Sequence, residues 1–130
     1  MLEPRPLKVL VVEDQLGLAT STADILRLEG HEVQIAADGL AALDAAQAQE
    51  PDVVLLDICL PKMDGFEVAR RLRASFARKP YLIAVTASDS EADRRRGAEA
   101  GIDLYLAKPA DPHLLLRILR DRHLGLTKST

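Results

Sequence analysis

The sequence predicts an α/β fold, a doubly wound parallel sheet of five strands with five helices shared between its faces. Three observations predict it. Short apolar runs alternate with longer segments of helical periodicity, strand then helix, five times along 130 residues. Most of the runs are apolar on successive residues, as strands covered on both faces must be. Several runs also end in a polar residue, which collects polar side chains outside one edge of the sheet, where such folds bind ligands.

Leu7 to Val12 is a valine-rich run bounded by Pro4 and Pro6 before and Glu13-Asp14 after, and reads as the first strand. From Gln15 to Glu29, Leu18, Ala19, Thr22, Ile25, Leu26 and Leu28 recur at near-helical spacing, and Gly30 supplies the helix stop. Glu32 to Ala36 alternates polar and apolar, so this second strand belongs near a sheet edge. Asp38 offers a cap to an alanine-rich helix over Leu40–Gln49, with Leu40, Leu43 and Ala46 on one face and Pro51 barring its continuation.

Val53-Val54-Leu55-Leu56 is a fully buried strand that ends in a carboxylate, Asp57. Pro61 and Asp64-Gly65 then turn the chain into a helix marked by Phe66, Val68, Ala69 and Leu72. Pro80 to Val85 is a fourth strand delivering Thr86, followed by the capping residues of Ala87-Ser88-Asp89-Ser90. The helix over roughly Glu91 to Ala100 has only alanines as apolar partners and is expected to be the most loosely held. Its Arg94-Arg95-Arg96 run, like Arg70, Arg71 and Arg73, reads as a solvated face. Ile102 to Ala107 is the last strand and presents Lys108-Pro109. Asp111 or Pro112 opens a final helix with Leu114, Leu115, Ile118 and Leu119 as its apolar face, and the chain from Gly125 reads as a tail.

With the least apolar strand at an edge, the flavodoxin-like order 2-1-3-4-5 satisfies the pattern, and its first and third strands flank the switch point where ligands bind. One domain is expected over residues 1–130, with a core of about 7–123 and a tail over 124–130. Aromatics are 3% of the residues, so the core must be aliphatic. A net charge of −3 supplies no basic field, which disfavours nucleic-acid binding by this domain alone. The lone Cys59 forms no internal disulfide, and no run is long enough to cross a bilayer or to be a signal peptide, so a cytoplasmic protein without a membrane contact is expected.

In that strand order Glu13, Asp14 and Asp57 share one crevice. Three carboxylates that close require either a proton or a bound cation. An all-oxygen set suits Mg²⁺ better than zinc, for which histidine or cysteine ligands are usual. Thr86 and Lys108 arrive at the same edge, and a hydroxyl and an ammonium beside a carboxylate and a divalent ion make a site for phosphoryl oxygens. Singly, Asp14 reads equally well as a helix cap and Lys108-Pro109 as a turn; their joint placement at strand ends carries the argument.

The chain from about Lys8 to Arg122 resembles the receiver domain of two-component response regulators. The resemblance is carried by Val12-Glu13-Asp14, Leu56-Asp57, Leu60-Pro61-Lys62-Met63-Asp64-Gly65, Val85-Thr86-Ala87 and Ala107-Lys108-Pro109. It implies that Asp57 accepts a phosphoryl group from a phosphohistidine on a histidine kinase or histidine phosphotransfer protein. Mg²⁺ would be held by Asp14, Asp57 and the backbone carbonyl of Cys59, with Glu13 acting through water, and Lys108 would pair with a phosphoryl oxygen. Thr86 and Tyr105 would form the switch, Tyr105 entering from a more exposed position as the Thr86 hydroxyl turns to the phosphoryl group. Cys59 and Ser88 occupy loop positions that tune acyl-phosphate hydrolysis.

Ala110 departs from the pattern, since many receivers carry a larger apolar residue there, and looser packing between the last loop and the final helix is expected. The implied protein is a switch rather than an enzyme, a monomer or weak dimer acting on a downstream protein partner. A receiver belonging to a hybrid histidine kinase would read the same way. The alternative from another class is a Mg²⁺-dependent phosphohydrolase with an aspartyl nucleophile, although such enzymes commonly carry a second carboxylate where Cys59 stands.

Overall fold

A computed structural model describes the backbone of residues 6–76, 79–87 and 90–128, with side chains up to residue 121. Strands β1 (Lys8–Val12), β2 (Glu32–Ala36), β3 (Val53–Leu56), β4 (Tyr81–Thr86) and β5 (Leu104–Ala107) alternate with helices α1 (Leu16–Leu28), α2 (Gly39–Ala48), α3 (Gly65–Ser75), α4 (Glu91–Ala100) and α5 (Pro112–Lys128). All strand pairs are parallel, in the order β2-β1-β3-β4-β5, the flavodoxin-like order expected with the least apolar strand at an edge.

Because successive side chains of a strand point to opposite faces, the sheet separates two aliphatic cores. On one face Leu10, Val12, Val54, Leu56, Leu82 and Ala84 pack with Ala42, Ala46, Phe66, Val68 and Leu72 of α2 and α3. On the other, Val9, Val11, Val53, Leu55 and Ile83 pack with Ala19, Ala23 and Leu26 of α1 and Leu115 and Leu119 of α5. Phe66 is the one aromatic ring in the fully buried set, as the composition requires. All four residues of β3 are buried, whereas β2 alternates and β5, at the other edge, is half-buried.

Side chains cap four of the helix starts, at Asp38 and Ser90 as the sequence predicts and also at Asp64 and Asp111. Asp38 accepts from the Ala41 amide at 2.8 Å, Asp64 from Phe66 at 2.8 Å, Ser90 from Asp93 at 3.1 Å and Asp111 from His113 at 3.0 Å. The Asp38 carboxyl lies below its ordinary pKa, held there chiefly by that Ala41 amide against the opposing effect of desolvation, with help from Lys62. Gly65 is required by close approach, since a Cβ there would come 2.6 Å from the Ile58 Cα.

The helix faces differ from expectation where large and small residues compete. In α2 the buried residues are Gly39, Ala42 and Ala46, while Leu40 is 55% exposed. The cause is proximity: a Cβ on Gly39 would lie 2.9 Å from that of Met63, so only small side chains fit inward. In α1, likewise, Ala19, Ala23 and Leu26 face the sheet and Leu28 is exposed. Leu114 of α5 also faces outward, leaving Leu115 and Leu119 to make the buried contact. β5 begins at Leu104, because Asp103 before it is used as an anchor: its amide donates to the Leu82 carbonyl and its carboxylate accepts from the Leu82 amide, both at 2.8 Å. α5 continues to Lys128, through Gly125, where a tail is expected from sequence. A helix accommodates an interior glycine at a cost of about 1 kcal/mol.

α4 buries only Gly97 and Ala100, in line with its predicted weak hold. Its arginines are not all solvated, however. Arg96 lies 4.3 Å over the Phe66 ring and donates to Asp64 at 2.9 Å, tying α4 to the start of α3.

Candidate functional site

Register brings the acids together. Val12 pairs with Leu56 at the C-terminal ends of β1 and β3, so Glu13 and Asp57 follow side by side. The Asp57 amide donates to the Val12 carbonyl and the Glu13 amide to the Ala36 carbonyl, each at 3.0 Å, extending the strand ladders into the loops. Thr86 pairs with Ala107 across β4 and β5, and the Lys108 amide donates to the Thr86 carbonyl at 3.0 Å. The backbone therefore fixes where each polar side chain leaves the sheet.

Asp57 is buried, and both its oxygens are engaged. Oδ1 accepts from the Cys59 amide at 3.0 Å, and Oδ2 from Lys108 Nζ at 3.1 Å. The same ammonium donates to Oε1 of buried Glu13 at 2.8 Å, while Glu13 Oε2 accepts from the Gln15 amide at 3.2 Å. Desolvation works against the Lys108 charge, but the hydrogen bonds and charges of Glu13 and Asp57 outweigh it and raise its pKa above the ordinary lysine value. Asp14 is exposed and completes the cluster, with one oxygen from each of Glu13, Asp14 and Asp57 lying within 4.8 Å of the others. It does not cap α1, whose N-cap is Gln15 and has no side-chain capping bond.

The donor set fits the implied ion. Three carboxylates against one ammonium leave these four groups with a formal charge of −2, which a divalent cation neutralises. Hard oxygens, with the exposed Asp14 leaving one side open to water, match the preference of Mg²⁺ for a partly hydrated shell.

Other predicted residues are placed more loosely around this centre. Thr86 is fully buried at the end of β4. Tyr105 is half-buried and packs against the α3 side of the core, and its hydroxyl donates to the Asp93 carbonyl of α4 at 2.8 Å. Cys59 is an exposed thiol in the loop after Asp57. Ser88 lies outside the described residues. The Lys108–Glu13 contact, between residues 95 positions apart, has no sequence signal beyond the strand order that makes both chain segments converge.

Two carboxylates under one ammonium, with a third at the rim, can hold a cation and keep one oxygen nucleophile in a fixed direction. That is the equipment for phosphoryl transfer, where positioning and charge stabilisation do most of the work.

Comparison with known proteins agrees. Residues 9–120 match the family described as response regulator receiver domain. The chain is 40% identical over 115 residues to the response regulator MprA of Mycobacterium sp. (strain KMS), covering 88% of this chain and 50% of that protein. It thus spans about half the length of the curated relatives it matches first. Among solved structures, the CheY-like receiver domain protein of Methanospirillum hungatei JF-1 superposes with a TM-score of 0.85 at 30% identity, over 96% of this chain and 99% of that one. The receiver domain of sensor histidine kinase PA1611 from Pseudomonas aeruginosa PAO1, with a magnesium ion coordinated in its active-site cleft, gives 0.81 at 36% identity over 91% and 98%. Receivers are phosphoacceptors rather than enzymes in the ordinary sense, which sets the phosphohydrolase alternative aside. The chain belongs to the response regulator receiver domain family of two-component signalling.

Proposed function

We propose that Asp57 is the phosphoacceptor of this receiver and that Asp14, Asp57 and the Cys59 carbonyl, with Glu13 behind them, hold Mg²⁺. The observation that carries the reading is the fixed Asp57 carboxylate, buried beside Glu13 and held from two directions by Cys59 and Lys108. An oxygen of Asp57 attacks the phosphorus of a phosphohistidine; the new O–P bond forms as the P–N bond breaks, and the imidazole leaves with the electron pair. When bound, Mg²⁺ neutralises charge on the transferring group. Lys108 stays cationic throughout and passes from the Asp57 carboxylate to a phosphoryl oxygen. The Cys59 amide keeps the carboxylate aimed.

The phosphoryl group adds negative charge at the ends of β3 and β5, and the response is a shift in the balance of Thr86, Tyr105 and α4 arrangements. Tyr105, seated on α4 through Asp93, supports this role. Cys59 and Ser88 tune the lifetime of the acyl phosphate. The donor is a histidine kinase or a histidine phosphotransfer protein in the cytoplasm, and the readout is a protein partner. Among the described residues no helix is long and apolar enough to cross a membrane.

Incubation with Mg²⁺ and acetyl phosphate tests the proposal. One phosphoryl group on the wild type and none on Asp57→Asn is the expected result, and an unmodified wild type would overturn it. Phosphotransfer profiling against histidine proteins then separates a relay, which returns the group rapidly, from a terminal switch, which keeps it.

A further inference from the structure

The loop that follows Asp57 closes on itself. The Ile58 carbonyl accepts from the Leu60 amide at 3.1 Å and from the Gly65 amide at 3.2 Å, so the two ends of the loop move together. Such a unit is placed by what holds it from outside, and ion pairs do so on two sides. Lys62 Nζ lies 3.6 Å from Asp38 at the start of α2, and Asp64 Oδ2 accepts from Arg96 of α4 at 2.9 Å. The Arg96 tie is the better built. Its guanidinium lies 4.3 Å over the ring of buried Phe66, which sets the direction of the arginine, and the other oxygen of Asp64 is fixed by the Phe66 amide at 2.8 Å. An ion pair between two free surface side chains is worth little, but here each partner is held before they meet.

We propose that Arg96 is a positioning residue for the acidic site. By holding Asp64 it fixes the closed loop from the α4 side, and with the loop the Cys59 backbone, whose amide already holds Asp57 Oδ1 at 3.0 Å. The link runs through one ion pair and the loop backbone and uses neither Thr86 nor Tyr105. It deepens the proposed function and rests on it for the identity of the ion, Mg²⁺. Preorganised ligands bind more tightly than loose ones, so releasing the loop should weaken the ion. Coupling of this kind is reciprocal: the placement of α4 bears on cation affinity, and an occupied site bears on α4. α4 is suited to respond, because it buries only Gly97 and Ala100 and depends on ties of this sort for its place.

The test is a magnesium chloride titration of the full chain, followed through the amide signals of Cys59 and Gly65 in protein-observed NMR. Arg96→Gln should weaken Mg²⁺ binding about two- to fivefold. The sign is diagnostic, since loss of a positive charge near three carboxylates would by itself tighten a cation. Arg95→Gln is the control: it removes the same charge from the same helix, and its partner is Glu91 of α4 itself. Binding to Arg95→Gln should be equal to that of the wild type or tighter, and Arg96→Lys, which keeps a cation for Asp64, should recover part of the loss. Unchanged or tighter binding to Arg96→Gln overturns the proposal, as does equal weakening by Arg95→Gln, which would report a loosened α4 and not the loop. A wild type whose Cys59 and Gly65 signals do not move with Mg²⁺ would overturn the metal assignment and this inference with it, so the two failures are told apart by the wild-type titration.

Discussion

The ends of β1 and β3 and the packing of α4 against β5 lie on the same sheet yet are held by different means. The first region rests on strands buried along almost their whole length, and its polar groups are locked by hydrogen bonds of 2.8 to 3.2 Å among Glu13, Gln15, Asp57, Cys59 and Lys108. The second has a half-buried edge strand and a helix that buries only Gly97 and Ala100. Its ties among the described residues include Arg96 to Asp64 and Phe66, Arg94 5.9 Å from the Tyr105 ring, and Tyr105 to the Asp93 carbonyl. A rigid region suits chemistry that depends on position, and a weakly held one can be shifted by a small change in charge. Under the proposed function, the contrast would divide the reaction and the response between two parts of the fold.

Removing the proposed phosphoacceptor should have the largest effect. Asp57→Asn is expected to abolish phosphoryl uptake, measured by intact mass, while leaving the melting temperature close to that of the wild type or above it, because one buried negative charge is lost. Lys108→Met attacks the rigid region differently, by leaving Glu13 and Asp57 without their shared cation. Unpaired buried charges are costly, and with partial solvent access the expected loss is about 2 kcal/mol in urea unfolding without metal. Millimolar Mg²⁺ should restore more stability to this variant than to the wild type.

On the α4 side, Gly97→Ala sharpens the comparison because two effects oppose. Helix propensity alone favours alanine by about 1 kcal/mol. A Cβ at this position would, however, meet the Tyr105 ring, lying 2.8 Å from its Cζ. Destabilisation of about 1–3 kcal/mol is therefore expected, and the sign should reverse in a Tyr105→Ala background. Arg96→Ala should cost less, about 0.5–1.5 kcal/mol, and increase amide exchange in α4 without altering β1 or β3.

The smallest effect concerns pH. The folded Lys108 pKa is raised above 10.5, so its contribution is present below that value and is lost only as pH rises through the higher folded value. The stability difference between wild type and Lys108→Met should accordingly be constant in lysine-linked terms from neutrality to about pH 10 and shrink above it.

The strand order and the acids were legible in sequence for a physical reason. A strand buried on both faces has no place for a carboxylate except at its end, so the run Val53–Leu56 marks Asp57, and Leu7–Val12 marks Glu13 and Asp14. Helix faces were less legible. Apolar periodicity pointed to Leu40, but the approach of α2 to Met63 and Val68 selected Gly39 and Ala42 instead. Arg96 was hidden for a related reason: its partners lie on α3, and nothing in an arginine run tells which member will find an aromatic ring and a carboxylate across a helix interface. Asp52 shows the converse case. It is buried at the opposite end of the sheet, where its carboxylate accepts from the Lys8 amide at 2.8 Å, so a buried acid at a strand start serves as an anchor.

Hydrogen exchange before and after phosphorylation with acetyl phosphate and Mg²⁺ tests most directly whether reaction and response are divided in this way. Altered protection should concentrate in α4, β5 and the turn before α4, while β1 and β3 keep the protection of the unmodified protein. Changes confined to the loops around Asp57, or spread evenly over the sheet, would contradict the division.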